Sequence, residues 1–282
     1  MIALSRLVPI AAAALAEFSV VAQEPLHGRW DLIQRGTMIA VTIEDGWLVM
    51  IAPLTCGGEP RELLGKNAAL PGHVKFALSP EGGLQLRAEI PLDEDAGPLI
   101  RKARDGFDAA LAALAGEKCA PITNETPRSV SQDDLKRLCD DAGWIATPRG
   151  DDACVVELEC PGAFHQATLV ANGGGVLASV PLAKCDESAA DSVAATGHFL
   201  LTAAGVVRMA RPILEFSEGR VIPAFEVSFS AMPAAAHLSH ALSALSVACQ
   251  LCGEEAKALH DTNVAGEFLA LSKTKPRKEK TK

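Results

Sequence analysis

The chain has 282 residues, a length that predicts about two domains, because single domains usually contain roughly 100 to 200 residues. Hydrophobic residues make up 49% of the chain and charged residues 22%, a balance typical of folded domains that excludes a disordered protein. The net charge is −9, but residues 272–282 carry six basic residues and one acidic residue, so removing their +5 leaves −14. Such an acidic body repels phosphate backbones and argues against a nucleic-acid partner.

Cysteine usage and hydropathy bear on the compartment. Eight cysteines are scattered along the chain, and a chain of this size can bury a core without disulfides, so we expect reduced cysteines and a cytoplasmic protein. No apolar stretch reaches the roughly 18 to 20 residues of a membrane span, which predicts no membrane partner. Residues 1–16 nevertheless resemble a short signal peptide, with Arg6 before an apolar run that ends at Ala16. A secreted or periplasmic protein is therefore the alternative.

The first predicted element in chain order is an amphipathic helix. Its apolar residues Leu7, Ile10, Ala11 and Ala14 recur at i, i+3, i+4 and i+7, the spacing of one helix face. An apolar strand is predicted next, around 30–33.

A hairpin follows this strand. Segments 37–46 and 47–54 form two strands around the tight turn Asp45-Gly46, which is the usual hairpin signature. The chain then continues with three predicted elements: a helix over 60–70, a second hairpin around the turn 79–83 and a closing helix over 99–114.

The same elements recur in the second half of the chain. Sliding the sequence against itself by 128 residues aligns 4–59 with 132–187 without a gap, so that Leu7 falls on Leu135 and the first hairpin turn falls on Gly173-Gly174. Beyond the middle helix the offset becomes 137. The sequence therefore predicts the order α-β-β-β-α-β-β-α twice.

The repeat also predicts domain boundaries. It divides the chain into a first module (1–116), a linker (117–128), a second module (129–262) and a basic tail predicted to be disordered (263–282). Residues 4–18 correspond to an internal helix that follows Ser131, a predicted N-cap with acidic Asp133 and Asp134 behind it. We therefore expect the amino-terminal segment to be retained as a helix rather than cleaved.

This element order carries a resemblance to a known family. A Pro-Leu pair ends the third predicted strand of each half, at Pro53-Leu54 and Pro181-Leu182, and a Glu-Gly turn precedes each last strand. Together with the acidic body, the order resembles the Tir chaperone (CesT-like) superfamily of type III secretion chaperones. The resemblance covers nearly all of both halves.

The resemblance implies a fold and a function. Each half would be a twisted antiparallel sheet with packed helices, and the middle helices and neighbouring strands would join the halves as a pseudo-dimer within a monomer. Members of the family hold an extended, partly unfolded segment of another bacterial protein without catalysis, ATP or a cofactor. Apolar residues of the third strands and opening helices are the candidate partner-binding residues: Leu48, Met50, Val176, Leu7 and Leu135.

Cys249 and Cys252 form the one CxxC motif of the chain. A structural zinc site would want a second pair at similar spacing, so we predict buried helical cysteines and no metal. The alternative function is a redox- or metal-responsive regulator that uses these two cysteines. His237 and His240 share a helix face at i and i+3, and we interpret them as part of an ordinary helix start.

Two further patterns have ordinary interpretations. Residues 173–175 are three glycines, but a strand follows them, so they predict a hairpin turn rather than a phosphate-binding loop. Asp93, Glu94 and Asp95 come just before a predicted helix, where the helix dipole stabilises acidic residues. Neither pattern predicts a catalytic or metal site.

Overall fold

The protein was analysed as a computed structural model that describes residues 4–16, 18–24, 27–116, 130–160, 163–172 and 174–273. These residues form an α+β fold with seven helices and two antiparallel sheets, which confirms the predicted fold class. Among the helices of these ranges, none combines the length and the apolar character that a membrane crossing requires. The predicted linker 117–128 lies outside the described residues.

The first half contains three helices and six strands. In chain order these are α1 (Leu4–Leu15), β1 (Ser19–Glu24), β2 (Arg29–Gln34), β3 (Thr37–Glu44), β4 (Trp47–Pro53), α2 (Pro60–Ala69), β5 (Lys75–Leu78), β6 (Leu84–Pro91) and α3 (Ala96–Leu114). The strands lie side by side in the order β1-β2-β3-β4-β6-β5. The turn between β3 and β4 has positive φ angles at Asp45 and Gly46, as a two-residue hairpin turn requires.

The second half contains four helices and seven strands. In chain order these are α4 (Gln132–Asp141), β7 (Ala146–Arg149), β8 (Ala153–Cys160), β9 (Ala163–Asn172), β10 (Gly175–Pro181), β11 (Cys185–Asp186), α5 (Ala190–Ala203), β12 (Arg211–Ser217), β13 (Arg220–Phe229), α6 (Ala235–Ala258) and α7 (Thr262–Lys273). The strands β7-β8-β9-β10-β13 are consecutive neighbours, and β11 and β12 both pair with β13. Ser131 caps α4 in a capping box with Asp134, as predicted for this N-cap.

The predicted element order is incomplete in both halves. Four strands, not three, precede each middle helix, because β1 and β7 add an edge strand to each sheet. All six residues of β1 are exposed, so this strand lacks the alternation of buried and exposed residues that reveals a strand in a sequence. The structure also adds the two-residue strand β11.

The predicted disordered tail is wrong over its first residues. Helix α7 occupies most of the segment assigned to the tail and packs against α5. Its Ala265 is fully buried, and the ring of Phe268 lies edge-on to the rings of His198 and Phe199. This apolar face explains why α7 is folded, and residues 274–282 lie outside the described part of the chain.

Strand register tests the repeat. Ala40 faces Ile51 in the first half and Thr168 faces Ser179 in the second, so the predicted offset of 128 holds for these strands. In the next strand, Ile51 faces Arg87 and Ser179 faces Glu226, which lie 139 residues apart rather than the predicted 137. The reason is the connecting turn, which is longer between β5 and β6 than between β12 and β13.

The core is continuous across the two halves. On the first sheet, α1 packs against α3 and β3, and α3 packs against β6. The middle helices pack across the halves, because α2 contacts α5 and β12, and α5 contacts β5. The contact between these helices is close, since a Cβ on Gly197 would lie 3.0 Å from the Cβ of Pro60.

A buried ion pair of the first half reaches into the second. Lys75 on β5 and Glu89 on β6 are almost fully buried, with 3.0 Å between Nζ and Oε2. The Lys75 ammonium also donates to the main-chain carbonyls of Val207 and Ala210 in the other half. The backbone N–H of Met209 donates to Glu89 at 3.3 Å.

A second buried ion pair makes the reverse contact. Arg211 on β12 and Glu226 on β13 are buried, with 2.6 Å between Nε and Oε1. The Arg211 guanidinium donates to the carbonyl of Leu70 and, at 3.5 Å, to that of Ala68 in the first half. Each cation therefore holds the segment that precedes the edge strand of the opposite half.

Candidate functional site

Strand β1 leaves a sheet edge open. It pairs with β2 on one side, and no strand within the described ranges pairs with its other side. Its register shifts between Val20 and Ala22, and Val21, at the shift, is 53% exposed. An open edge of this kind presents N–H and C=O groups to an incoming strand.

Exposed apolar side chains continue this edge into the sheet. Ser19 of β1 faces Ile33 of β2, and Ile33 faces Met38 of β3. Ile33 and Met38 are 42% and 56% exposed. A strand added to β1 would therefore lie beside a row of accessible apolar residues, which could contact its alternate side chains.

A groove of about 540–550 Å³ adjoins Met38. It lies between the β2–β3 turn, the end of β4 and the end of α3, and its apolar lining includes Pro53, Leu54, Leu111 and Leu114. The groove is therefore placed to accept an apolar side chain beside the open edge.

An ion pair supports the wall of this groove. Arg35, in the β2–β3 turn, and Asp108 of α3 lie 2.7 Å apart between Nε and Oδ1. The hydrogen bond from Arg35 lowers the pKa of the Asp108 carboxyl, so the pair stays charged at neutral pH. It ties the turn to α3 at the groove.

The structure buries all the residues predicted to bind a partner. Each is at most 4% exposed and belongs to the common core: Leu7, Leu48, Met50, Leu135 and Val176. They face the helices that cover each sheet, so an extended partner could reach them only if those helices moved. The accessible apolar residues lie instead on β1, β2 and β3.

A second cavity lies between the two halves. This cleft has a volume of about 540 Å³ and is bounded by the first half of α3 and by the segment that joins β13 to α6. Arg101, Lys102 and Arg104 contribute cationic groups to its lining, and His73 and His237 contribute imidazoles. Its shape and its mixed lining suit a small polar ligand.

His73 is the most unusual residue of this cleft. It is 2% exposed, and neither ring nitrogen has a hydrogen-bond partner among the described residues. Its ring lies edge-on to Phe229 at 5.3 Å between centroids. Burial, followed by the charge of Arg211, lowers the pKa of His73 to about 3. The imidazole is therefore neutral at physiological pH, and a bound ligand could satisfy its unused nitrogens.

The two histidines of α6 have different partners. His237 is buried and lies 2.9 Å from Asp93 between Nε2 and Oδ2, whereas His240 lies edge-on to Trp47 at 5.3 Å. Asp93 also accepts the backbone N–H of Asp95 at 3.0 Å, at the start of α3. The acidic segment thus supports a helix start, as predicted, and also anchors α6 to the first half.

The CxxC cysteines are buried in α6. Cys249 and Cys252 are free thiols, and burial raises the pKa of each to about 12. Such thiols are protonated at neutral pH and react slowly as nucleophiles. Cys249 lies near Cys160 and His165, and the potential ligand atoms of the three residues are all within 4.8 Å of one another.

Several of these residues carried little signal in the sequence. Val21 lies in a strand that has no buried face, and His73 is a single histidine in a short loop before β5. Cys160 and His165 flank a Pro-Gly pair, a turn signature that could have placed them on neighbouring strands. Their proximity to Cys249 depends on long-range packing that no local pattern reveals.

The comparisons with known proteins leave the chain without an assigned family. No model of a protein family, no curated protein and no solved structure matches it.

Proposed function

We propose that this chain is a non-enzymatic, chaperone-like protein-binding module that holds an extended or partly unfolded segment of another protein. The observation that carries the proposal is the open edge of β1, whose six residues are all exposed. Proteins usually shield such an edge because it pairs readily with other chains. A bound segment would add a strand to the first sheet and satisfy the free backbone groups of β1.

The proposed partner segment is apolar at alternate residues. On one face, such a segment would place its side chains beside Val21, Ile33 and Met38, and one of them would enter the groove near Leu54. Apolar contacts of this kind supply affinity, while the backbone hydrogen bonds fix the register. No cofactor and no nucleotide take part in this mode of binding.

We also propose that the two halves are tandem modules that associate as a pseudo-dimer within a monomer, as in the resemblance to type III secretion chaperones. Matching strand orders support this arrangement. The reciprocal buried pairs of Lys75 and Arg211 support it too, because each cation donates to carbonyls of the opposite half. A cytoplasmic location is supported by the seven free cysteines among the described residues, which suit a reducing compartment.

Site-specific photo-crosslinking tests the proposed function. The full chain would carry a photoreactive amino acid at Val21 of β1 or, as the matched control, at Thr147 of the other outer strand, β7. We expect an adduct with a defined protein from position 21 in native lysate and none from position 147. The crosslinked peptides should map to one contiguous segment of that protein.

A blocking variant completes this test. Val21→Lys places a charge on the open edge, where charged residues discourage strand addition, and should prevent crosslinking from a probe at position 20. Adducts that are equal at positions 21 and 147, or that survive Val21→Lys, would contradict strand addition at β1.

A further inference from the structure

The end of the β8–β9 hairpin brings two potential metal ligands onto one sheet face. Leu158 of β8 faces His165 of β9, and residues that face each other across antiparallel strands point to the same side of the sheet. Cys160 lies two residues beyond Leu158 and therefore points to this side as well. Leu158 is fully buried, so this side is the one that faces the interior.

Helix α6 supplies a third ligand. It packs across β8 and β9, and its Cys249 is buried against them. The sulfur atoms of Cys160 and Cys249 and a ring nitrogen of His165 all lie within 4.8 Å of one another. Three donors from three separate elements thus converge on one point.

The surroundings leave room for the histidine ring. Gly253 follows Cys249 by one helical turn, and a Cβ at that position would lie 3.6 Å from both Cε1 and Nε2 of His165. The absence of a side chain at Gly253 therefore lets the ring lie directly against α6. The sulfur of Cys160 also lies 3.6 Å from the main-chain oxygen of Ser246, so the ligands rest against polar helix atoms.

Two sulfur donors and one imidazole form a set that selects zinc over magnesium or calcium. Tetrahedral zinc, with Zn–S near 2.3 Å and Zn–N near 2.0 Å, holds its donors about 3.4–3.8 Å apart. Donors that already lie within 4.8 Å reach that spacing through small side-chain rotations. Cys160 and His165 are only half-buried, so an ion can enter from solvent and a water molecule can complete the coordination.

We propose that Cys160, His165 and Cys249 bind a zinc ion that fastens α6 to the β8–β9 hairpin. This site differs from a site built on the CxxC motif, because its second sulfur comes from β8 and not from Cys252. It lies in the second half, whereas the open edge lies in the first. The zinc site and the partner-binding edge are therefore independent, and either can fail without the other.

Cobalt substitution tests the zinc site. The full chain would be purified with a thiol reductant, freed of metal by a chelator and titrated with Co²⁺ and then Zn²⁺. We expect one equivalent of Co²⁺ to give the near-ultraviolet charge-transfer band of thiolate ligation, and one equivalent of Zn²⁺ to remove it. Mg²⁺ and Ca²⁺ should give no competition.

Variants distinguish this site from other cysteine sites. Cys160→Ser and His165→Ala should each weaken Co²⁺ binding by roughly 100-fold or more. Cys252→Ser and Cys185→Ser, which remove buried thiols outside the site, should leave the Co²⁺ affinity within about 3-fold of the wild type. His165→Ala keeps the test valid if Cys160→Ser does not fold, because the His165 side chain is partly exposed.

Three outcomes would overturn the zinc site. The first is the absence of stoichiometric Co²⁺ binding to the reduced chain. The second is binding that survives Cys160→Ser and His165→Ala but is lost in Cys252→Ser. The third is a disulfide between Cys160 and Cys249 in zinc-free protein that forms again promptly after the reductant is removed, even when Zn²⁺ is present.

Discussion

The outer edges of the two sheets differ in how they are protected. Strand β1 has six exposed residues and no proline, whereas β7 has four residues and contains Pro148 and Arg149. A short strand, a proline without an N–H group and a charged residue are devices that discourage strand addition. Two sheets with matching strand orders thus present one open edge and one guarded edge. The comparison teaches that a shared topology does not imply a shared binding surface.

The buried ion pairs at the junction differ in the same manner. Glu89 has a second cationic partner, because Arg87 as well as Lys75 forms an ion pair with it. For Glu226, Arg211 is the one ion-pair partner among the described residues. The second half therefore depends on a single cation where the first half has two.

The largest expected effect follows from this difference. Arg211→Met should lower the free energy of unfolding by about 3–5 kcal/mol, because it leaves the buried Glu226 carboxylate without a compensating charge. Lys75→Met should cost only about 1–2 kcal/mol, because Arg87 still neutralises Glu89. Urea unfolding at neutral pH measures both changes, with Lys184→Met, at an exposed site, as the control.

The pH dependence of the Arg211→Met variant sharpens the test. Burial already raises the pKa of Glu226 in the folded wild type, and a raised pKa means that stability is lost as the pH rises and regained as it falls. The deficit of the variant should therefore shrink toward acidic pH, and Glu226→Gln should rescue it at neutral pH. Equal costs for Arg211→Met and Lys75→Met would contradict the comparison.

His73 provides the next effect. Its pKa in the folded state is about 3, against an ordinary value of 6.5, so the unfolded chain takes up a proton in this window and the folded chain does not. Stability is therefore complete above pH 6.5 and falls as the pH drops toward 3, by roughly 1.4 kcal/mol per pH unit for this group alone.

Replacement of His73 should remove this dependence. The unfolding free energy of His73→Met, relative to the wild type, should rise by roughly 2–3 kcal/mol between pH 7 and pH 4.5. Denaturant titrations at several pH values measure the difference. His27→Met, at a side chain that is 74% exposed, should show no such trend. A parallel trend in both variants would exclude a neutral, buried His73.

A glycine of the second half tests a close backbone approach. Gly175 opens β10 at the position that Trp47 occupies in β4, 128 residues earlier. A Cβ on Gly175 would lie 1.9 Å from the main-chain oxygen of Phe229. Gly175→Ala should therefore force β13 away and cost about 2–3 kcal/mol, as overpacking does. Gly83→Ala, which meets only Ser79 at 3.4 Å, should change the thermal midpoint little.

The smallest effects compare the two middle helices. Gly65 of α2 has no atom within 4 Å of its expected Cβ, whereas that of Gly197 in α5 would lie 3.0 Å from Pro60. Gly65→Ala should stabilise the protein by about 0.5–1 kcal/mol through helix propensity. Gly197→Ala should fail to gain this amount, because it presses on α2. Equal stabilisation by both substitutions would contradict close packing of α2 against α5.

The predictable parts of the fold are those with a local signal. The apolar stripe at Leu7 and Ala11 identified α1, and the turn at Asp45-Gly46 located the first hairpin, because side-chain periodicity and turn chemistry are local. The pattern around β1 had no periodicity to detect, since both of its faces meet solvent. The repeat did predict that the middle strands correspond at an offset of 128.

The candidate sites were less predictable for a physical reason. The proximity of Cys249 to Cys160 and His165 results from packing between α6 and a distant hairpin. The predicted partner-binding residues were chosen for their apolar side chains, and such residues are mostly found in cores. A binding surface differs from a core by what is left uncovered, which sequence patterns do not record.

Amide hydrogen exchange tests the central claim most directly. The full chain would be measured alone and in complex with the protein recovered by crosslinking from position 21. We expect slower exchange across β1 in the complex and unchanged exchange across β7, because only the first edge gains hydrogen bonds from a bound strand. Slower exchange in β7, or no change in β1, would contradict the account.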